Sequence, residues 1–163
     1  VSQCMHHGLA DSILESMSRY GVSSNQVNLE ITESAASYDQ SVMSENLERL
    51  SAAGLTFSLD DYGTGYSNMY RIAALPLKIV KLDKTFVNNQ NSKMWTILQN
   101  TVRMIKDLNM EIVVEGIETE EMVKKFSDLK CDFIQGYFFS KPIPQREFVE
   151  FIDRWNNRQK VNA

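Results

Sequence analysis

Lys78-Ile79-Val80-Lys81-Leu82-Asp83 is an apolar run broken at alternate positions by charge. Side chains alternate faces along a strand, so Val80 and Leu82 point one way and Lys81 and Asp83 the other. Four further runs share this parity. In 26–31, Val27, Leu29 and Ile31 oppose Asn28 and Glu30; in 56–60, Phe57 and Leu59 oppose Thr56, Ser58 and Asp60. In 111–115, Ile112 and Val114 oppose Val113 and Glu115, and in 132–135 Ile134 opposes Phe133 and Gln135. Each predicted strand thus carries an aliphatic face and, near its C-terminal end, a polar or charged residue on the opposite face.

Helical periodicity fills the intervals. Ile13, Leu14 and Met17 precede the first strand, Met43, Leu47 and Leu50 follow it, and Trp95, Leu98, Val102, Ile105 and Leu108 step by three and four. Phe148, Phe151, Ile152 and Trp155 form a last stripe. Gly54 reads as a helix C-cap and Thr119, before Glu120 and Glu121, as an N-cap. One helix followed by five strand–helix units predicts an α/β fold with a parallel sheet covered by helices. A (β/α) barrel of the TIM type places the polar face inside and its chemistry at the C-terminal rim. The competing architecture, a Rossmann-like open sheet, gathers ligands at one switch point and does not call on five consecutive strands. A barrel of ~250 residues spends roughly 31 on each unit, so 163 residues are expected to form an incomplete barrel of about five units.

Composition narrows the class. Apolar residues at 43% and charged residues at 23% are ordinary for a globular domain and exclude a disordered or fibrous chain. No apolar run reaches the ~18–20 residues that span a bilayer. With 17 basic and 21 acidic side chains the net charge is −4, which argues against a DNA or RNA polymer as partner. Cys4 and Cys131 read as reduced thiols of the cytosol. The chain begins at Val1 without a basic-then-apolar leader, the start expected of a piece of a longer protein.

The barrel reading would bring Glu30, Asp60, Asp61 and Glu115 to one rim. Clustered carboxylates raise one another's pKa unless a cation neutralises them, and hard oxygen donors suit Mg²⁺, Mn²⁺ or Ca²⁺. The Asp60–Asp61 pair can bridge two ions ~3.5–4 Å apart, an arrangement used in phosphodiester cleavage. As turn chemistry or a helix cap, Asp-Asp shortly before Gly has a plainer reading as well. Lys81 interrupts an apolar strand, either as an ammonium beside water and phosphate or as a lysine snorkelling from the barrel end. The loop 61–67 is rich in glycine but lacks a Lys at Walker spacing, so a mobile or supporting loop is the better reading than a phosphate cradle. Adjacent His6 and His7 cannot share a helical face and read as surface residues; Met94, Met104 and Met110 read as core.

Five motifs in order now resemble the EAL-domain family. They are Leu29-Glu30-Ile31-Thr32-Glu33-Ser34; Asp60-Asp61-Tyr62-Gly63-Thr64-Gly65-Tyr66-Ser67; Leu75-Pro76 leading into Lys78 to Val87; Val114-Glu115-Gly116-Ile117-Glu118-Thr119; and Gln135-Gly136-Tyr137-Phe138-Phe139-Ser140-Lys141-Pro142. The resemblance implies a (β/α) barrel that hydrolyses cyclic di-GMP to linear pGpG with Mg²⁺ or Mn²⁺ at a two-ion site. It makes Glu30, Asp60 and Asp61 metal ligands, with Asp60 shared. Lys81 then stands beside the attacking water, Glu115 in the metal and water network, and Gln135 near that water. Glu33 props the glycine-rich loop, coupling metal binding to dimerisation, while Asp83 and Glu118 lie on the substrate side.

Departures from the pattern are Tyr62 for the usual Phe, Asn68 for Ser, and Val114 for Ala. The Glu-Ala-Leu segment that names the family is absent, and its Asn-Val-Ser motif would place a ligand Asn just before Val1. The expectation is therefore a partial EAL domain over 1–163, lacking the N-terminal strands that carry both motifs. Its parent is expected to be a cytoplasmic or membrane-tethered phosphodiesterase, a homodimer paired through its helices and joined to sensory or other signalling domains. The alternative is a receptor module that binds cyclic di-GMP without cleaving it.

Overall fold

The computed structural model describes residues 3–36, 41–65, 69–88 and 91–161, omitting the side chains of Met69, Arg71 and 158–161. Tyr66, Ser67 and Asn68 of the glycine-rich loop, and part of the polar tract from Asn88 to Ser92, lie outside the described residues. The elements run α1 (Leu9–Tyr20), β1 (Asn28–Thr32), α2 (Glu33–Ala36), α3 (Ser41–Ala52), β2 (Thr56–Tyr62), α4 (Met69–Ala74) and β3 (Ile79–Leu82). They continue with α5 (Lys84–Val87), α6 (Ser92–Asp107), β4 (Glu111–Val114), α7 (Glu120–Asp128), β5 (Phe133–Ile134) and α8 (Gln145–Val161).

All strand pairs are parallel, and the five strands lie in sequential order β1-β2-β3-β4-β5. That order decides between the two architectures. A doubly wound sheet reverses direction at a switch point, whereas a sheet that always advances, with right-handed crossovers, puts its helices on one face. The sheet is therefore of the (β/α)-barrel type, and β1 and β5 form its edges.

The aliphatic face packs as its parity predicts. Ile31, Phe57, Leu59, Val80, Leu82, Ile112 and Val114 are buried, with Met43, Leu47 and Leu50 of α3, Leu98, Val102 and Ile105 of α6, and Phe126 of α7 in the same cluster. Each such side chain contributes roughly 1.5–3 kcal/mol by leaving water, which fixes the sheet beneath its helices. Helix ends are closed locally. At Gly54, φ is 93°, and Leu55 N–H donates to Leu50 O at 3.1 Å while Gly54 N–H donates to Ser51 O at 2.9 Å, a Schellman closure that needs a left-handed residue. Thr119 caps α7 by accepting from Met122 N–H at 3.2 Å.

Several boundaries differ from the sequence reading for identifiable reasons. Ser24–Gln26 forms a 3-10 turn with a Ser23/Gln26 capping box, so β1 begins at Asn28 and runs on to Thr32. β2 continues through a register irregularity to Tyr62. Asp83 leaves β3 to cap α5, accepting from Thr85 N–H at 2.8 Å. Leu108 is exposed, since α6 ends there, and Met110 is buried in its place. On α8, Phe148, Ile152 and Trp155 are exposed, with Trp155 packed against Phe139 and Phe151. His6 and His7 are exposed as expected. No described helix is long and apolar enough to cross a membrane.

Candidate active site

On the face opposite the helices, the C-terminal ends of β1, β2, β3 and the residue after β4 meet. The Lys81 ammonium lies 2.9 Å from Glu30 Oε1, 2.8 Å from Asp60 Oδ1 and 2.9 Å from Glu115 Oε1. Its three N–H donors are thereby matched to three carboxylates, from β1, β2 and the residue just after β4. Only 12% of the Lys81 side chain is exposed. Burial pushes the ammonium pKa down, but hydrogen bonds to Asp60, Glu30 and Glu115 outweigh it and raise the pKa above its ordinary value. The three carboxylates thus favour the charged form of Lys81.

Asp61 reaches the same rim by a device that simple alternation does not provide. Consecutive strand residues face opposite ways, so Asp60 and Asp61 should diverge. Instead the β2–β3 register shifts between Leu59 and Tyr62, and Asp61 adopts φ 58°. A bulge with a left-handed residue re-aims a side chain, and Asp tolerates that conformation better than most. Burial, followed by the charges of Asp60, Asp83 and Glu30, raises the Asp61 pKa, with Lys81 opposing.

These donors suit a hard divalent cation: they are carboxylate oxygens, and beyond burial, the largest cause, the neighbouring acids Asp60, Asp83 and Glu30 add to the upward shift of Asp61, a repulsion that a cation relieves. Among the described residues, no three His, Cys, Asp or Glu side chains already stand in cation-holding geometry. Three of the four carboxylates are drawn onto Lys81 instead.

The remaining candidates separate into supports and bystanders. Glu33, in the first turn of α2, is 2% exposed, and its Oε2 accepts from Gly63 N–H at 2.9 Å and Gly65 N–H at 3.2 Å. It therefore holds the loop that follows the Asp61 bulge. Gln135 continues the β4–β5 ladder: its N–H donates to Val114 O at 2.8 Å and its carbonyl accepts from Ile117 N–H at 3.1 Å. Gly136 makes this approach possible, because a Cβ there would stand 2.0 Å from Ile117 O. Asp83 spends its carboxylate on Thr85, whose N–H and hydroxyl both donate to it. Burial raises the Asp83 pKa, but those bonds prevail and hold it below the ordinary carboxylate value. Glu118 is exposed just before the α7 cap. Cys131, pushed up to about 11 by burial, is an unreactive thiol.

Residues 1–142 match the EAL domain family. The chain belongs to the EAL-domain family. Among curated relatives, MucR of Pseudomonas aeruginosa, a bifunctional diguanylate cyclase/cyclic di-GMP phosphodiesterase, is 35% identical over 152 residues, covering 92% of this chain and 22% of MucR. The cyclic di-GMP phosphodiesterase RocR of the same organism is 31% identical over 92% of this chain and 39% of its own length. This EAL chain therefore spans well under half of either relative. A solved structure of the MucR phosphodiesterase in complex with cyclic di-GMP superimposes with a TM-score of 0.83 at 35% identity, over 90% of this chain and 60% of that one.

Proposed function

We propose that the chain provides the catalytic rim of a cyclic di-GMP phosphodiesterase, cutting the cyclic dinucleotide to linear pGpG. The observation that carries this reading is the junction of Glu30, Asp60 and Glu115 on one ammonium at the mouth of a barrel-type sheet. In the reaction a water oxygen bonds to phosphorus and the P–O3′ bond breaks. The products are a 5′-phosphate and a free 3′-hydroxyl, so the water must lose a proton and the leaving oxygen must gain one.

Glu30, Asp60 and Asp61 would hold Mg²⁺ or Mn²⁺ in a two-ion site, and the bound ions would supply Lewis acidity for this displacement. Lys81 keeps the rim carboxylates together and places a fixed positive charge where a phosphate must approach. Glu115 accepts a proton or hydrogen bond from the attacking water, and the Gln135 amide orients that water from the adjoining strand. Glu33 fixes the loop behind Asp61. Asp83 acts at one remove on substrate through the α5 cap, and exposed Glu118 can meet it directly.

About three more strands close a barrel of this type, and we read the chain as a partial EAL domain completed elsewhere in its protein, beside sensory or other signalling domains. Self-association as a homodimer is supported by Tyr70 on α4 and Ile97 on α6, large apolar side chains left exposed on the helices after β2 and β3. Two unpaired cysteines fit a cytoplasmic setting. The deciding experiment follows cyclic di-GMP and pGpG by chromatography with the full-length protein and Mn²⁺. Conversion that disappears in Glu30→Ala is expected. Binding of cyclic di-GMP without pGpG would replace the enzyme with a receptor.

A further inference from the structure

The concave face of β1 and β2 carries a second polar arrangement below the carboxylates. Asn28 Nδ2 donates to Thr56 Oγ1 at 3.0 Å, and Asn28 Oδ1 accepts from Ser58 Oγ at 2.5 Å. Thr56 Oγ1 in turn donates to Val27 O at 3.5 Å. Asn28 stands opposite Thr56 in the ladder, Glu30 opposite Ser58, and Thr32 opposite Asp60.

Burial alone does not single out this register. Leu29 and Ile31 face the helices beside Phe57 and Leu59, and a slip of two residues preserves that parity, since only odd slips reverse the faces. A two-residue slip in one direction would set Asn28 against Ser58 and Glu30 directly against Asp60. Like charges opposite one another are unfavourable, yet a cation between them would remove that penalty. In the observed register the Asn28 amide meets both hydroxyls at once, donating to Thr56 Oγ1 and accepting from Ser58 Oγ, so these two bonds favour the register that burial leaves open.

We propose that Asn28 is a positioning residue, whose amide, shared between Thr56 and Ser58, pins β1 to β2 and so sets the offset between Glu30 and Asp60. The consequence for catalysis rests on the phosphodiesterase reading; the pinning itself does not.

The test uses the full-length protein, four single variants and one double variant. Asn28→Leu and Thr56→Val remove polar groups at nearly constant volume, Ser58→Ala removes the other hydroxyl, and Thr56→Ser restores the hydroxyl lost in Thr56→Val. Mn²⁺ affinity is measured by electron paramagnetic resonance, alongside kcat and KM. The expected result is about a five- to tenfold weaker Mn²⁺ affinity and lower kcat in Asn28→Leu and Thr56→Val, with KM within twofold and Thr56→Ser near wild type. The Asn28→Leu/Thr56→Val double variant should be little worse than Asn28→Leu alone, because the Asn28–Thr56 bond is already lost in that single variant. Folded variants that keep Mn²⁺ affinity within twofold, or that lose only thermal stability, overturn the proposal. So does an equal loss in Thr56→Val and Thr56→Ser. If the wild type neither binds Mn²⁺ nor cleaves cyclic di-GMP, the functional reading fails by itself, and hydrogen exchange of the β1–β2 amides decides the pinning. Exchange at least tenfold faster in Thr56→Val upholds it, and unchanged exchange rejects it.

Discussion

Lys81 and Asp61 occupy one rim with opposite electrostatic consequences. The ammonium is stabilised by Asp60, Glu30 and Glu115 against the cost of burial, so removing it leaves three carboxylates facing one another. Lys81→Met is expected to lower phosphodiesterase turnover by at least about a hundredfold, the scale of a lost electrostatic contact to the reacting groups. Asp61 is the reverse case. Its folded pKa lies above the ordinary 3.8 because burial and neighbouring acids disfavour its charge. Such a group favours the native state while protonated and costs stability as pH rises from about the ordinary value through the raised folded one. In chelator-treated protein, Asp61→Asn should therefore raise Tm at pH 7 by on the order of 1–2 °C, and the gap should close as pH falls below 3.8. Asn also tolerates the left-handed backbone at φ 58°, so the gain is not offset by strain. Calorimetry across pH measures it, and a variant less stable than wild type at pH 7 would reject the crowding account.

At the scale of elements, the strands were legible because one face of each must be buried and the other must not. Val80 and Leu82 against Lys81 was sufficient to orient β3, and the same alternation placed Glu30, Asp60 and Glu115 on one side. The local exceptions were not legible from that periodicity. Asp61 turns inward through a bulge and a positive φ, both properties of backbone pairing with β3 that the residue types of β2 alone do not specify. Asp83 reads as the last residue of a strand, yet Thr85 draws it into a helix cap. The bond between Asn28 and Thr56 spans 28 positions, beyond the reach of any local pattern. Glu33 was found through motif resemblance, and its reason is physical: a buried carboxylate at the start of α2 organises the backbone N–H groups of Gly63 and Gly65. Glu33→Ala removes both acceptor contacts and should destabilise the protein by about 2–4 kcal/mol, given roughly 1.5–3 kcal/mol for each charged hydrogen bond with partial replacement by water. Urea unfolding measures this loss, and Glu33→Gln, whose one amide oxygen can accept from both N–H groups but without the charge, should recover part of it. Equal midpoints for Ala and wild type would show that the loop is held by other means.

Across the whole molecule, a sheet that ends at a two-residue strand must fix β5 by contacts other than its ladder. Asp132 supplies one, just before β5. Its carboxylate pairs with the Lys106 ammonium of α6 and accepts from Ile112 N–H of β4 at 2.7 Å, joining the helical layer to two strands. Burial raises the Asp132 pKa, but Lys106 and the Ile112 N–H more than compensate, and it lies below the ordinary 3.8. The sign is therefore opposite to that of Asp61. A depressed folded pKa contributes stability that is complete above the unfolded value and is lost as pH falls through the folded one. Asp132→Asn should lower stability at pH 7 by about 1 kcal/mol, since the pair is partly exposed and screened. The difference from wild type should shrink as pH drops below 3.8. Hydrogen exchange should locate the same loss in β4 and β5, with β1 and β2 unaffected. A pH-independent deficit would mean that Asp132 acts through packing and not through its charge.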